Sequence, residues 1–314
     1  MKCNHTIHSR MHHYGWDNAI DPILTVTPGQ TVEIETIDAS GSQLTENSTD
    51  KDLLNLDFEK VNPVTGPIYV KGAQKGDVIS IKFLEFMPDT KGWGWTANIP
   101  GFGLLADQFP DPKLNIWKFD PNNPTHSIFG KTCKIPLKPF CGTIGLALEE
   151  KGNHSVVPPR RVGGNLDIRD NCVGTTLYLP VEVEGGLLSV GDTHAAQGDG
   201  EVCGTAIESP MIVSCKIDLL KEQSIKFPQL ETIGPVTNHF DQKGYKVTTG
   251  IGPDLMQASR DAVGSMIDLL CKDTGMDAVE AYMLCSVCGD LRISEIVDMP
   301  NWTVSFYFPK VVFE

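Results

Sequence analysis

The feature that most restricts how this 314-residue chain can fold is a period-two alternation of apolar and polar residues, repeated in short runs. From Gln30 to Ile37, Val32, Ile34 and Thr36 oppose Thr31, Glu33 and Glu35, the spacing of a strand with one buried face. Pro28-Gly29 opens that run with a turn. A second run spans Val78 to Phe86, and a third sets Leu177, Leu179, Val181 and Val183 against Tyr178, Glu182 and Glu184. With 30 glycines and 21 prolines spread along the chain, many short strands and turns are expected rather than long helices.

The pattern changes after residue 250. Asp254 reads as an N-cap, with Gln257 at the third helical position, and Leu255, Ala258, Ala262, Met266 and Leu269 keep a helical period to about Cys271. Gly275 follows as a stop, and a second helix is expected from Asp277 towards Ser286. The fold class is therefore mainly β: a sandwich- or barrel-like body with an appended α+β unit and helices mostly after residue 250. We expect residues 1–228 to form the body, with a further division near residue 140 as an option, and residues 229–314 to form the α+β unit.

Composition narrows the partners. A formal net charge of −14 argues against nucleic acid, whose phosphates are bound by Lys and Arg clusters, and against anionic membranes. The nine cysteines show no repeated pairing; Cys285 and Cys288 alone have a two-residue gap and read as structural. An odd cysteine count, a start without an apolar signal region and no apolar run near 18 residues long lead to the expectation of a reducing cytoplasm.

The chemistry concentrates in Ser189–Glu201. If the strand period holds, Asp192 and His194 leave one face two residues apart, offering oxygen and nitrogen to a metal ion. Gly198-Asp199-Gly200 is a turn signal that would return Asp199 or Glu201 to the same place. Two further polar clusters precede strands: Asn165 and Asp167, and Asp57 to Asn62. An isolated Asp-x-His is more often a hydrogen-bonded pair than a metal site, so it is the company of these clusters that raises the metal reading.

The combination of Trp16-Asp17-Asn18, Val61 to Ile68, Pro158-Pro159-Arg160, Gly163 to Asp167 and Val190 to Glu201 resembles the acetamidase/formamidase family across nearly the whole chain. The resemblance implies hydrolysis of short aliphatic amides such as formamide and acetamide to carboxylate and ammonia. It also implies a bound divalent metal and a homo-oligomer, expected as a dimer. Asp57, Asn165, Asp167, Asp192, His194, Gln197, Asp199 and Glu201 match the family pattern. Asn62 stands where many relatives carry His, and Ala147 to Gly152 departs from the relatives' Ala-Pro-Ala-Glu-Pro-Gly.

Amide hydrolysis needs a nucleophile, an oxyanion stabiliser and an acid for the departing nitrogen, and a divalent metal meets the first two needs by acidifying bound water to a pKa of about 7 and polarising the carbonyl. The expected ligands are His194, Asp192 and Asp167, with Asp57 as a fourth or as a supporting partner. Zinc is the first choice for such a mixed set and calcium the second. Glu201 is expected to carry the proton, with Asp199, Glu149 and Glu150 as alternatives, while Asn165, Gln197 and Asn62 recognise the amide. Cys141 reads as a buried apolar residue rather than a nucleophile. The alternative function is a non-catalytic protein that binds a small amide or a metal.

Overall fold

The computed structural model describes residues 3–297 and 299–313. Each alternating run becomes a strand. Thr31–Glu35 buries Val32 and Ile34 and leaves the residues between them half-exposed, and Val78–Pro88 and Thr176–Pro180 follow the other two runs. These belong to one six-stranded sheet, in the order His5–Ile7, Thr31–Glu35, Met211–Leu220, Val78–Pro88, Thr176–Pro180 and Gln229–Glu231.

The second sheet positions the site. Its order is Gly163–Asn165, Phe140–Gly145, Leu188–His194, Val64–Val70 and His12–His13, with Leu24–Val26 also on Val64–Val70. Ile34, Ile79, Ile81 and Phe83 of the first sheet share one apolar core with Ile68, Ile144 and Val190 of the second. Both sheets are open, so the body is sandwich-like and the barrel half of the expectation does not occur. Leu188–His194 lies in the middle of its sheet and all of it is buried, because both faces are covered and the alternation that marks a half-exposed strand has no reason to persist.

The helices form where the caps predict. Leu255–Thr274 begins under Asp254, which accepts from Gln257 N at 2.7 Å, and ends at Gly275 with φ +72°. Its buried stripe is Ala258, Ala262, Met266 and Leu270, joined by Val263 and Ile267, while Leu255 and Leu269 sit at the margin of the core. Ala278–Cys288 starts under Asp277, and every residue from Ala281 to Cys288 is buried. Cys285 and Cys288 are therefore internal packing residues. A three-stranded sheet, Tyr245–Gly252, Trp302–Pro309 and Asp290–Glu295, carries the long helix. The core continues from the body into Ala258, Met266, Phe306 and Phe308 without a break. All nine cysteines are free, and among the described residues no helix is long and apolar enough to cross a membrane.

Candidate active site

Four strands of the second sheet deliver polar residues to one end of it. Thr143 pairs in register with Asn165 on one side and Gly191 on the other, and Gly191 pairs with Val64. Asn62 precedes Val64, Asp167 follows Asn165, and Asp192 and His194 follow Gly191, so strand register alone gathers them. Asn62, Asn165, Asp167 and Asp192 line a cavity of about 310 Å³ together with Glu201 and Glu208, among others, and His194 lies buried next to these carboxylates. Among the described residues, seven that are not glycine have positive φ, and four of these, Asn62, Asp167, Asp192 and Glu201, line this cavity. Left-handed backbone at non-glycine residues is costly and persists where the surrounding structure holds a functional geometry.

The centre is a lone imidazole among carboxylates. His194 Nε2 lies 3.1 Å from Asp192 Oδ1 and 3.0 Å from Glu208 Oε2, the second an ion-pair distance without the alignment of a hydrogen bond. Asp167, His194 and Glu201 offer atoms within 4.8 Å of one another, and so do Asp192, His194 and Glu208. Gly142 makes room for this: a Cβ there would lie 2.7 Å from both Asp167 Oδ1 and His194 Cε1. Thr143 Oγ1 donates to Asn165 Oδ1 at 2.6 Å and lies 3.1 Å from Asp192 Oδ2.

Burial dominates the electrostatics. Desolvation and the charge of Asp192 raise Asp167 to about 7. Desolvation likewise lifts Glu208 to about 8, with the Asp192 charge adding to it and His194 opposing it. Glu201 stands well above the usual carboxylate range for the same first reason, with Asp167 as the next contributor. His194 is also raised well above its ordinary value, in spite of burial that would lower it, because Glu208 and Asp192 hold the imidazolium. Asp192 stays below its ordinary value despite burial, through the His194 charge and hydrogen bonds from His194, Glu208 and Thr143. Without a cation, burial favours protons on Asp167, Glu201 and Glu208, while Asp192 stays ionised beside His194. A divalent cation fits in their place: Asp167 Oδ1 is buried with no hydrogen-bond partner among the described residues, and one imidazole with several carboxylates is a donor set suited to zinc.

Several expected residues go elsewhere. Asp57, its side chain 43% exposed, pairs with Lys60 Nζ at 2.9 Å and caps the Phe58–Lys60 turn, and it joins neither ligand group. The near-range cation at the third position satisfies it locally. Asp199 turns to Arg169, at 3.3 Å from Nε, while Glu201 returns to His194 as the turn signal predicts. Gln197 is buried and does not line the cavity: its Nε2 donates to the Asp167 carbonyl at 2.8 Å and its Oε1 lies 2.9 Å from His194 Nδ1. Glu149 and Glu150 are exposed and paired with Lys75 and Arg161. Cys141 is fully buried, which pushes its thiol well up and removes it as a nucleophile. Glu208 is the residue sequence reasoning missed. The only available signal was its isolation, as the sole charged residue between Val202 and Cys215.

A β-rich scaffold with a buried imidazole–carboxylate centre beside an open pocket is the kind of site where an enzyme is sought. The Acetamidase/Formamidase family model matches residues 2–151 and 148–314, and the chain belongs to that family. A formamidase from Methylophilus methylotrophus is 28% identical over 96% of this chain and 89% of its own length. An acetamidase from Mycolicibacterium smegmatis is 30% identical over 72% of this chain and 68% of its own. Among solved structures, a gamma lactamase from Delftia acidovorans matches with a TM-score of 0.89 at 26% identity, covering 97% of this chain and 90% of that one. An acetamidase from Bacillus halodurans matches with a TM-score of 0.68 at 32% identity, covering 97% of each.

Proposed function

We propose that the protein hydrolyses the carbon–nitrogen bond of linear primary amides, giving a carboxylate and ammonia, with the His194 centre as the catalytic site. The observation that carries this reading is that Asp167, Asp192, Glu201 and Glu208 line one cavity with the side-chain amides of Asn62 and Asn165, and that His194 lies within ligand distance of those carboxylates. Asn165 accepts from Thr143 through Oδ1, which leaves its NH₂ to donate to a substrate carbonyl. Asn62 Nδ2 is already directed to Asn165 Oδ1 at 3.4 Å, so its own oxygen is the acceptor for the substrate NH₂. Two such amides read the two ends of a primary amide group.

Glu201 is the proton carrier in this reading. It takes a proton as water adds to the carbonyl carbon and returns it to the nitrogen as that bond breaks, and its place within 4.8 Å of Asp167 and His194 puts it beside the reacting atoms. Gln197 keeps the Nδ1–H on His194 and leaves Nε2 for the centre. Asp192, His194 and Glu208 would hold a divalent cation, with Asp167 beside them, and a cation held there supplies Lewis acidity and an acidified water. Zinc suits the nitrogen in the set and calcium suits it less.

Ammonia release from acetamide by zinc-loaded protein, with and without His194→Ala, tests the proposal. Steady turnover that the variant abolishes supports it. A zinc-loaded protein that binds acetamide without releasing ammonia turns the reading to a non-catalytic amide-binding protein. The homodimer expected from the family likeness is part of the proposal, and sedimentation as a strict monomer counts against it.

A further inference from the structure

The pocket over the His194 centre is larger, and more apolar at its opening, than formamide or acetamide requires. Its volume of about 310 Å³ reaches the range of pockets that enclose drug-sized ligands, roughly 300–1,000 Å³, whereas acetamide has only a handful of heavy atoms. The charged side chains, Asp167, Asp192, Glu201 and Glu208, lie deep. Leu56, Trp95 and Ile99 line the sides, and Phe58, Phe102 and Val157 stand at the opening. These last three are 59%, 44% and 39% exposed and come from three separate segments. Apolar side chains on the walls and opening of a pocket whose floor is polar are a mark of a ligand with one polar end.

The rim is built into the fold. A Cβ on Gly204 would meet the Phe102 ring at 2.5 Å, so the bare glycine, at φ +89°, lets the ring lie over the segment between Glu201 and Glu208. Trp95 is fixed by its indole N–H, which donates to Asp38 Oδ1 at 2.9 Å. Asp38 is itself held by the backbone N–H groups of Ser40 at 2.9 Å and Ser42 at 3.2 Å. A wall anchored this way does not collapse into the space that a small amide leaves vacant, and that unfilled apolar volume favours a larger acyl group.

We propose that these residues form an acyl-chain subsite and that the preferred substrate is a primary amide whose acyl group is well beyond acetyl, from butanoyl to hexanoyl or a benzoyl ring in size. This rests on the amidase reading above and narrows it. The amide sits at Asn62 and Asn165, and the chain runs past Leu56, Trp95 and Ile99 to the rim.

The test is kcat/KM for ammonia release by the zinc-loaded protein from acetamide, butyramide, hexanamide and benzamide. Each buried methylene contributes about fourfold, so hexanamide is expected to exceed acetamide by more than about tenfold. Phe102→Ala lowers the hexanamide-to-acetamide ratio about tenfold, and hexanoate inhibits acetamide hydrolysis more tightly than acetate does. Val157→Ala, on a different loop, shifts the ratio in the same direction and serves if Phe102→Ala does not fold. If acetamide is hydrolysed but hexanamide is no better, or if neither variant moves the ratio, the subsite is wrong and the amidase reading survives. If no amide in the series is hydrolysed, the amidase reading falls and the subsite falls with it.

Discussion

Gln197 Oε1 lies 2.9 Å from His194 Nδ1, while the other end of the same amide donates to the Asp167 carbonyl at 2.8 Å. The second bond orients the first: with its nitrogen committed to a carbonyl, Gln197 can only accept from the imidazole, so Nδ1 carries a hydrogen and Nε2 faces Asp192 and Glu208. Replacing Gln197 with Leu leaves a buried N–H and a buried carbonyl unpaired. We expect a loss of about 1–3 kcal/mol in stability and about 10–100-fold in kcat/KM or zinc affinity. Urea denaturation and amide turnover measured on one preparation check this, and a variant with unchanged turnover removes Gln197 from the site.

Glu201→Gln keeps the size of the side chain and most of its hydrogen-bonding capacity. Bound zinc and the melting temperature are expected to stay near wild type while kcat falls by about 10²–10⁴-fold. Asp192→Asn is expected to lose zinc affinity together with rate, since it removes a charge facing His194. Metal content and turnover measured in parallel separate the two roles. A loss of less than threefold in Glu201→Gln would assign the proton to another group.

A buried ion pair ties the C-terminal sheet to the turn that precedes Glu201. Arg169 and Asp290 are 4% and 1% exposed and form a two-pronged bridge, with Nη2 to Oδ2 at 3.0 Å. Asp199 is held by the same carboxylate and by Leu291, whose N–H donates to its carbonyl at 2.8 Å. Asp290→Ala strands a buried guanidinium, and the expected cost is about 3–5 kcal/mol. Because that turn sets the position of Glu201, kcat should fall as well. Chemical denaturation that shifts by less than about 1 kcal/mol would mean that Asp199 carries the arginine unaided.

His239 supplies a pH dependence outside the site. Burial, with Lys138 and Arg169 adding to it, lowers its pKa from the ordinary 6.5 to about 4. Between those values the unfolded chain binds a proton that the folded chain refuses. The contribution to stability is therefore complete above pH 6.5 and is lost as pH falls from 6.5 to about 4. His239 is partly exposed, so the loss expected over that window is about 2 kcal/mol. His239→Gln should flatten the corresponding part of a stability-against-pH curve, and a variant curve parallel to wild type between pH 4 and 6.5 excludes the group.

What could be read from the residues in order was what short-range chemistry decides. Asp254 and Asp277 cap the two long helices because a carboxylate at that position meets an orphan N–H within its own turn. Thr31–Glu35 follows its alternation because one face is covered and the other is not. The approach of Asp192 to His194, two residues apart, and the return of Glu201 through Gly198-Asp199-Gly200 are local in the same sense.

The rest depended on distance in space. Asp57 has the same side chain as Asp167 but finds Lys60 three residues on and remains in solvent, whereas register across Thr143 carries Asp167 into the interior. Gln197, expected beside the substrate, is hydrogen-bonded to His194 and to the Asp167 carbonyl, because Asp167 comes in from another strand. Glu208 carries no local pattern; it reaches His194 through bridges to Trp95 and His194 from two separate strands. The sequence by itself determined strands, caps and the first two members of the centre, since these are set by neighbours within a few residues. Which carboxylates would be stripped of water around one imidazole, and which aromatic rings would stand over them, was decided only by packing two sheets and a helix together, because burial and charge interaction depend on separation in space rather than along the chain.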